Sequence, residues 1–127
     1  MKKLFTALLF CTLLVTSCMT AEERKKEKAK AAIEKIIEDE KEFVTHAYII
    51  AQDLVRNKLK APSTAVFPNS DYTAGPVFSK GVEIKSYVDS QNGFGAQIRT
   101  NYTIYLQQTG NDWADVSNWK IIDFQTY

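Results

Sequence analysis

The chain has 127 residues, with 16 lysines and arginines against 15 aspartates and glutamates, two cysteines and one histidine. A length of this order supports one domain with a real core and not two. The near-even charge lacks the basic footprint of a nucleic-acid binder, and so few cysteine and histidine side chains leave a zinc site without its ligands.

Met1-Lys2-Lys3 is a positive start, and Leu4 to Val15 is an apolar run of about a dozen residues. That length suits a signal peptide and falls short of the roughly 20 residues that span a bilayer. The run ends in Leu14-Val15-Thr16-Ser17-Cys18: an apolar residue, small residues, then cysteine. This resembles a bacterial lipobox. The resemblance implies that residues 1–17 are a lipoprotein signal peptide, and that Cys18 becomes the first mature residue and carries a thioether-linked diacylglycerol. Cys11 then leaves with the signal and Cys18 is consumed by lipid, so the mature chain has no thiol and no disulfide. With Lys2 and Lys3 gone, 14 basic side chains face 15 acidic ones. Anchoring by such lipid (diacylglycerol, with palmitate as a typical acyl chain) places the protein in the cell envelope. It would sit on the extracytoplasmic face of a membrane, the outer one in a Gram-negative host. Two or more acyl chains hold a protein there without further help.

Residues 18–32 read as the lipidated cysteine and a charged stalk. Glu22 to Ala32 is made of good helix formers that bury little. From Ile33 an apolar stripe begins. Ile33, Ile36, Ile37, Phe43, Val44, Ala47, Ile50, Ala51, Leu54 and Val55 recur at three- and four-residue spacing, with Glu34, Lys35, Glu38, Glu42, Gln52 and Arg56 opposite. This predicts an amphipathic helix. It should end near Lys60, because Pro62 disfavours helical geometry at Ala61. Counted from Glu22 it would be roughly 55 Å long.

The rest of residues 33–127 reads as β structure, in a single α+β domain. Val77-Phe78 is a candidate edge strand. Val82 to Asp89 alternates, with Val82, Ile84 and Val88 on one face and Glu83, Lys85, Tyr87 and Asp89 on the other. Ala96 to Gln107 alternates again, with Ala96, Ile98, Tyr102, Ile104 and Leu106 against Gln97, Arg99, Asn101, Thr103 and Tyr105. Asn118 to Gln125 is the last strand, with Trp119, Ile121, Ile122 and Phe124 apolar. One polar face per strand implies an antiparallel sheet covered on one side. The expected fold is one long amphipathic N-terminal helix packed on a curled antiparallel sheet of three to five strands.

Between the two clearest strands lies Ser90-Gln91-Asn92-Gly93-Phe94-Gly95. Asn92-Gly93 is a strong hairpin signal, because both residues tolerate positive φ. Gly95 suggests a bulge or a close backbone approach. Asp89, Gln91 and Arg99 are placed to form a network across the hairpin, since the arginine fork matches a carboxylate. Phe94 is either tucked under the sheet or exposed for contact. Two segments, Leu59-Lys60-Ala61-Pro62-Ser63-Thr64-Ala65-Val66-Phe67-Pro68 and Tyr87 to Arg99 (YVDSQNGFGAQIR), resemble a motif pair of small, mostly uncharacterised bacterial and phage-associated proteins. In that group a Leu-Lys-x-Pro-Ser-Thr-Ala-x-Phe-Pro segment precedes a Val-Asp-Ser-Gln-Asn-x-Phe-Gly-Ala-x-x-Arg segment. The resemblance covers roughly residues 50 to 125. It implies that the two motifs are spatial neighbours, and it implies no reaction.

Catalytic signals are weak. His46 lies in the helix beside the apolar stripe. Ser63, Ser79 and Ser86 lack the Gly-x-Ser-x-Gly elbow, and no glycine loop cradles a phosphate. Asn111, Asp112 and Asp115 lack calcium-loop spacing. We expect no enzyme, cofactor, metal or nucleic acid. Expected instead is an interaction module that meets an envelope or incoming protein through Asp89, Gln91, Asn92, Phe94 and Arg99, inhibition or phage exclusion being one form of that role. Trp113 is a further candidate anchor, whereas Trp119 is expected in the core. The alternative is a small-ligand pocket or enzyme beneath the helix, with Tyr87, Tyr102 and Tyr105 as lining.

Overall fold

The computed structural model describes residues 20–127. The expected signal peptide and Cys18 lie outside the described residues. Helix α1 spans Ala21–Arg56. The described chain forms two units, one running through Glu38 and one from Asp39 to Tyr127.

In the first unit α1 starts on a reciprocal cap. The Glu23 backbone N–H donates to Thr20 Oγ1 at 3.3 Å, and the Thr20 N–H donates to Glu23 Oε2 at 2.7 Å. This satisfies donors that the first helical turn leaves free. Glu22 pairs with Lys26 and Lys30 with Glu34, each four residues apart. Every side chain from Thr20 to Glu38 is exposed, Ile33, Ile36 and Ile37 included. The apolar stripe therefore starts to bury at Phe43, not at Ile33 as its periodicity suggested.

The second unit holds the core. From α1 come Ala47, Tyr48, Ile50, Ala51 and Val55. They meet Val82, Ile84, Val88, Tyr102, Ile104, Leu106 and Trp119 of the sheet. Each buried aliphatic side chain of this kind contributes about 1.5–3 kcal/mol. Tyr48 finds a partner, its hydroxyl donating to the Pro68 carbonyl at 2.6 Å. The Tyr102 hydroxyl is buried without one. Burial pushes the Tyr102 phenol well above its ordinary pKa.

The sheet has four antiparallel strands in chain order: β1 Thr73–Ala74, β2 Gly81–Gln91, β3 Gln97–Gln108 and β4 Trp119–Thr126. The α+β class and the helix-on-sheet packing are as expected. The register pairs Val82 with Leu106 and Ile84 with Ile104 on the core face, and Tyr87 with Asn101 and Asp89 with Arg99 on the other.

Three local expectations are corrected. Helix α1 stops at Arg56, four residues early, because Lys58 and Leu59 donate to carbonyls three residues back and tighten the last turn. Val77-Phe78 is not a strand. The edge strand is Thr73–Ala74, and Phe78 makes only an isolated bridge to Gly81 across a two-residue turn. Ser79 and Lys80 form that turn at φ 48° and 61°. Finally, Ile122 does not share the apolar face. A bulge pairs Tyr105 with Asp123 and Leu106 with Ile121, so Ile122 is the extra residue. The bulge shifts the alternation by one, which turns Phe124 inward beside Trp119 and Ile121.

Candidate functional site

The two motif segments meet at the far end of the β2–β3 hairpin. Val66 and Asp89 exchange backbone hydrogen bonds at 2.8 and 3.0 Å. The Gln91 N–H donates to Thr64 Oγ1 at 2.9 Å, and the same hydroxyl donates to the Ala61 carbonyl at 2.8 Å. Pro62–Thr64 is a short 3-10 turn, started by a proline whose missing N–H costs nothing there. Pro-Ser-Thr is thus a clasp that holds one edge of β2.

On the sheet face away from the core, Arg99 Nε and a terminal guanidinium nitrogen donate to the two Asp89 oxygens at 2.7 and 2.6 Å. The guanidinium carbon also lies 3.8 Å from the centre of the Tyr87 ring. A two-point fork fixes geometry as well as charge. The hydrogen bonds from Arg99 hold the Asp89 carboxyl below its ordinary pKa, and Asp89 raises that of Arg99 in turn. The expected network is therefore present for Asp89 and Arg99. Gln91 joins through its backbone to Thr64 and not through its side chain.

The loop is not the two-residue turn that Asn92-Gly93 suggested. It has three residues between Asn92 and Ala96, which pair through the Asn92 N–H and the Ala96 carbonyl at 2.9 Å. Asn92 Oδ1 accepts from the N–H groups of Phe94 and Ala96 at 2.9 and 3.0 Å. Only Gly95 takes a positive φ here, at 82°. Asparagine acts through its side chain, as an Asx turn, and not through left-handed backbone. Phe94 at the tip is 98% exposed. Asp89, Gln91, Asn92 and Arg99 each have a partner within the fold, whereas this ring has none among the described residues.

The remaining candidates lie elsewhere. Trp113 is 36% exposed, and its ring stacks on His46 at 3.7 Å with the planes 1° apart. Its carbonyl accepts from Trp119 Nε1 at 2.8 Å. His46 lies ten residues before the end of α1, about 15 Å along the axis, so Trp113 does not join the hairpin end. Of the tyrosines expected to line a pocket, Tyr87 lies on the open face, Tyr102 is sealed in the core, and Tyr105 stands over Gly81. Among the described residues no three His, Cys, Asp or Glu side chains cluster as metal ligands, and no helix is long and apolar enough to cross a membrane.

Sequence reasoning missed a cleft of about 270 Å³ beside the hairpin end. It lies where α1 has stopped and the core face of β2–β3 continues. Lys58, Leu59 and Lys60 form one wall, and Ser90, Ile98 and Thr100 lie on the other. The sequence pattern carries no trace of it, because the early helix end and the exposure of Ile98 are features of the fold. Comparison with protein-family models, with curated proteins and with solved structures finds no match for this chain.

Proposed function

We propose that this chain is a lipid-anchored interaction module of the bacterial envelope, tethered through Cys18, that takes a protein partner at the β2–β3 hairpin end without catalysing a reaction. The observation that carries the binding half is Phe94. A phenylalanine at almost full exposure has apolar surface to gain from a partner's pocket, about 1.5–3 kcal/mol when fully buried. The loop beneath it is already ordered by Asn92, by the Asp89–Arg99 fork and by the Thr64 clasp. Preorganisation lowers the entropy lost on binding. An aromatic anchor inside a polar rim, here Gln91 and Gln97, is the usual make-up of an interface hot spot. The anchor half rests on the lipobox resemblance, and the motif pair is the hint toward an inhibitory or phage-exclusion form of the role, with an envelope or incoming protein as partner.

Each half has its own test. Cys18→Ala should move the protein from membranes to the soluble fraction, and retention on membranes would contradict the anchor. Phe94→Ala should leave the melting temperature unchanged and remove any protein that co-purifies in stoichiometric amount from solubilised membranes. A companion that survives Phe94→Ala binds somewhere else.

A further inference from the structure

We infer that the cleft between the end of α1 and the hairpin is a binding site for a carboxylate carried on a small aliphatic group. This goes beyond the docking role of Phe94, which does not line the cleft, and stands without it. Helix α1 covers the core face of the sheet only as far as Arg56. The last core-facing positions of the hairpin, Ser90, Ile98 and Thr100, are left to the Lys58–Lys60 turn, which closes over them incompletely.

The chemistry of the lining is one-sided. Lys58 and Lys60 supply two ammonium groups, and among the described residues neither has a carboxylate within ion-pair distance. Lys58 Nζ is held 5.2 Å from the centre of the Phe124 ring, so its charge is positioned. No aspartate or glutamate lines the cleft. The nearest in sequence, Asp89, faces the other side of the sheet and is occupied by Arg99.

Ser90 strengthens the case. The residue is only 3% exposed, yet its hydroxyl makes no hydrogen bond among the described residues and is not sealed from solvent. A buried hydroxyl normally finds a partner, and here the open side is the cleft. With Thr100 beside it, the lining offers two hydroxyl groups and two lysines, a set that suits an anion. Leu59 and Ile98, the latter 44% exposed, add an apolar wall that a bare inorganic anion would not use. The volume lies just below the range of ordinary small-molecule pockets, about 300–1,000 Å³. The occupant is therefore one short aliphatic group with its carboxylate. The last residue of a peptide and a free short-chain acid both carry that chemistry.

The test uses the full chain in detergent micelles and follows the backbone amide resonances of Ser90, Gln91 and Thr100. N-acetyl-leucine should shift them saturably, with half-saturation near 1 mM, an affinity suited to so few contacts. N-acetyl-leucinamide, the same shape without the charge, should bind at least about tenfold more weakly. The Lys58→Gln/Lys60→Gln double variant should lose a similar factor while its spectrum keeps native dispersion. Should that variant unfold, Lys60→Gln alone carries the same test. Tighter binding of acetyl-Ala-Ala-Leu than of N-acetyl-leucine identifies a peptide end, and equal binding of hexanoate identifies a free acid. The proposal is overturned if no acid saturates the shifts by about 10 mM. It is equally overturned if the amide matches the acid, or if a folded lysine variant binds as tightly as the unaltered chain.

Discussion

Two turns of the sheet, those on either side of β2, solve the same problem with opposite materials. At one end, Ser79 and Lys80 connect an isolated bridge to β2 with both residues in the left-handed region. Such a turn matches the twist of the strands but normally calls for glycine or asparagine. Here reciprocal backbone hydrogen bonds between Phe78 and Gly81, at 2.9 and 2.7 Å, hold two side-chain-bearing residues in it. At the other end, the left-handed position is a glycine and the turn is tied by an asparagine side chain. The first turn carries backbone strain. The second is relaxed and rigid, and it is the one that presents an exposed phenylalanine. A recognition loop gains from being ordered in advance, while a connecting turn needs only to be closed.

Substitutions can break this contrast, and the largest effect should come from Asn92→Ala. It removes two hydrogen bonds that order the loop and should cost about 1–2 kcal/mol. That is a fall of several degrees in melting temperature for a domain of this size. Gly95→Ala comes next. A Cβ there would meet no atom within 4 Å, so its whole cost is the positive φ, about 1 kcal/mol by denaturant unfolding. Lys80→Gly should act in the opposite direction. It relieves one left-handed side chain and, after the entropy that glycine adds to the unfolded chain, should raise stability by about 0.5 kcal/mol. If Lys80→Gly destabilises, the turn at Ser79–Lys80 is not strained and the contrast fails.

The smallest effect is expected from pH. The Asp89 carboxyl is held below its ordinary value by Arg99. A depressed carboxylate contributes stability that is present above the unfolded value, about 3.9, and is lost as pH falls through the folded value. Carboxyl resonances of Asp89 followed by NMR should therefore titrate below about pH 3.9 in the native chain, and move back toward that value in Arg99→Gln. An unshifted Asp89 would show that the fork is not formed in solution.

Much of this architecture was legible in the residues, for particular reasons. Alternation in Val82–Asp89 and Ala96–Gln107 identified the two long strands and their core faces, because one covered face imposes a period of two. Heptad-like spacing identified α1. Three features escaped. The Ser79–Lys80 turn carries no turn chemistry, so only the fold around it dictates its backbone. The bulge at Ile122 puts Ile121, Ile122 and Phe124 into one apolar run whose phase change cannot be read without the partner strand. The cleft depends on where α1 stops, and element ends are set by a few competing hydrogen bonds. At the hairpin end, Asp89 and Arg99 were found from their chemistry. The role of Asn92 was not, because the same Asn-Gly pair suits both a left-handed turn and a side-chain cap.

Phe94 is proposed as an anchor carried on a preformed loop. Its most direct test is photo-crosslinking in intact cells, with a photoreactive residue in place of the exposed Gln97. One discrete adduct is expected in the membrane fraction, lost when Phe94→Ala is added to the same chain. An adduct of unchanged yield in the Phe94→Ala background, or no adduct at all, would contradict it.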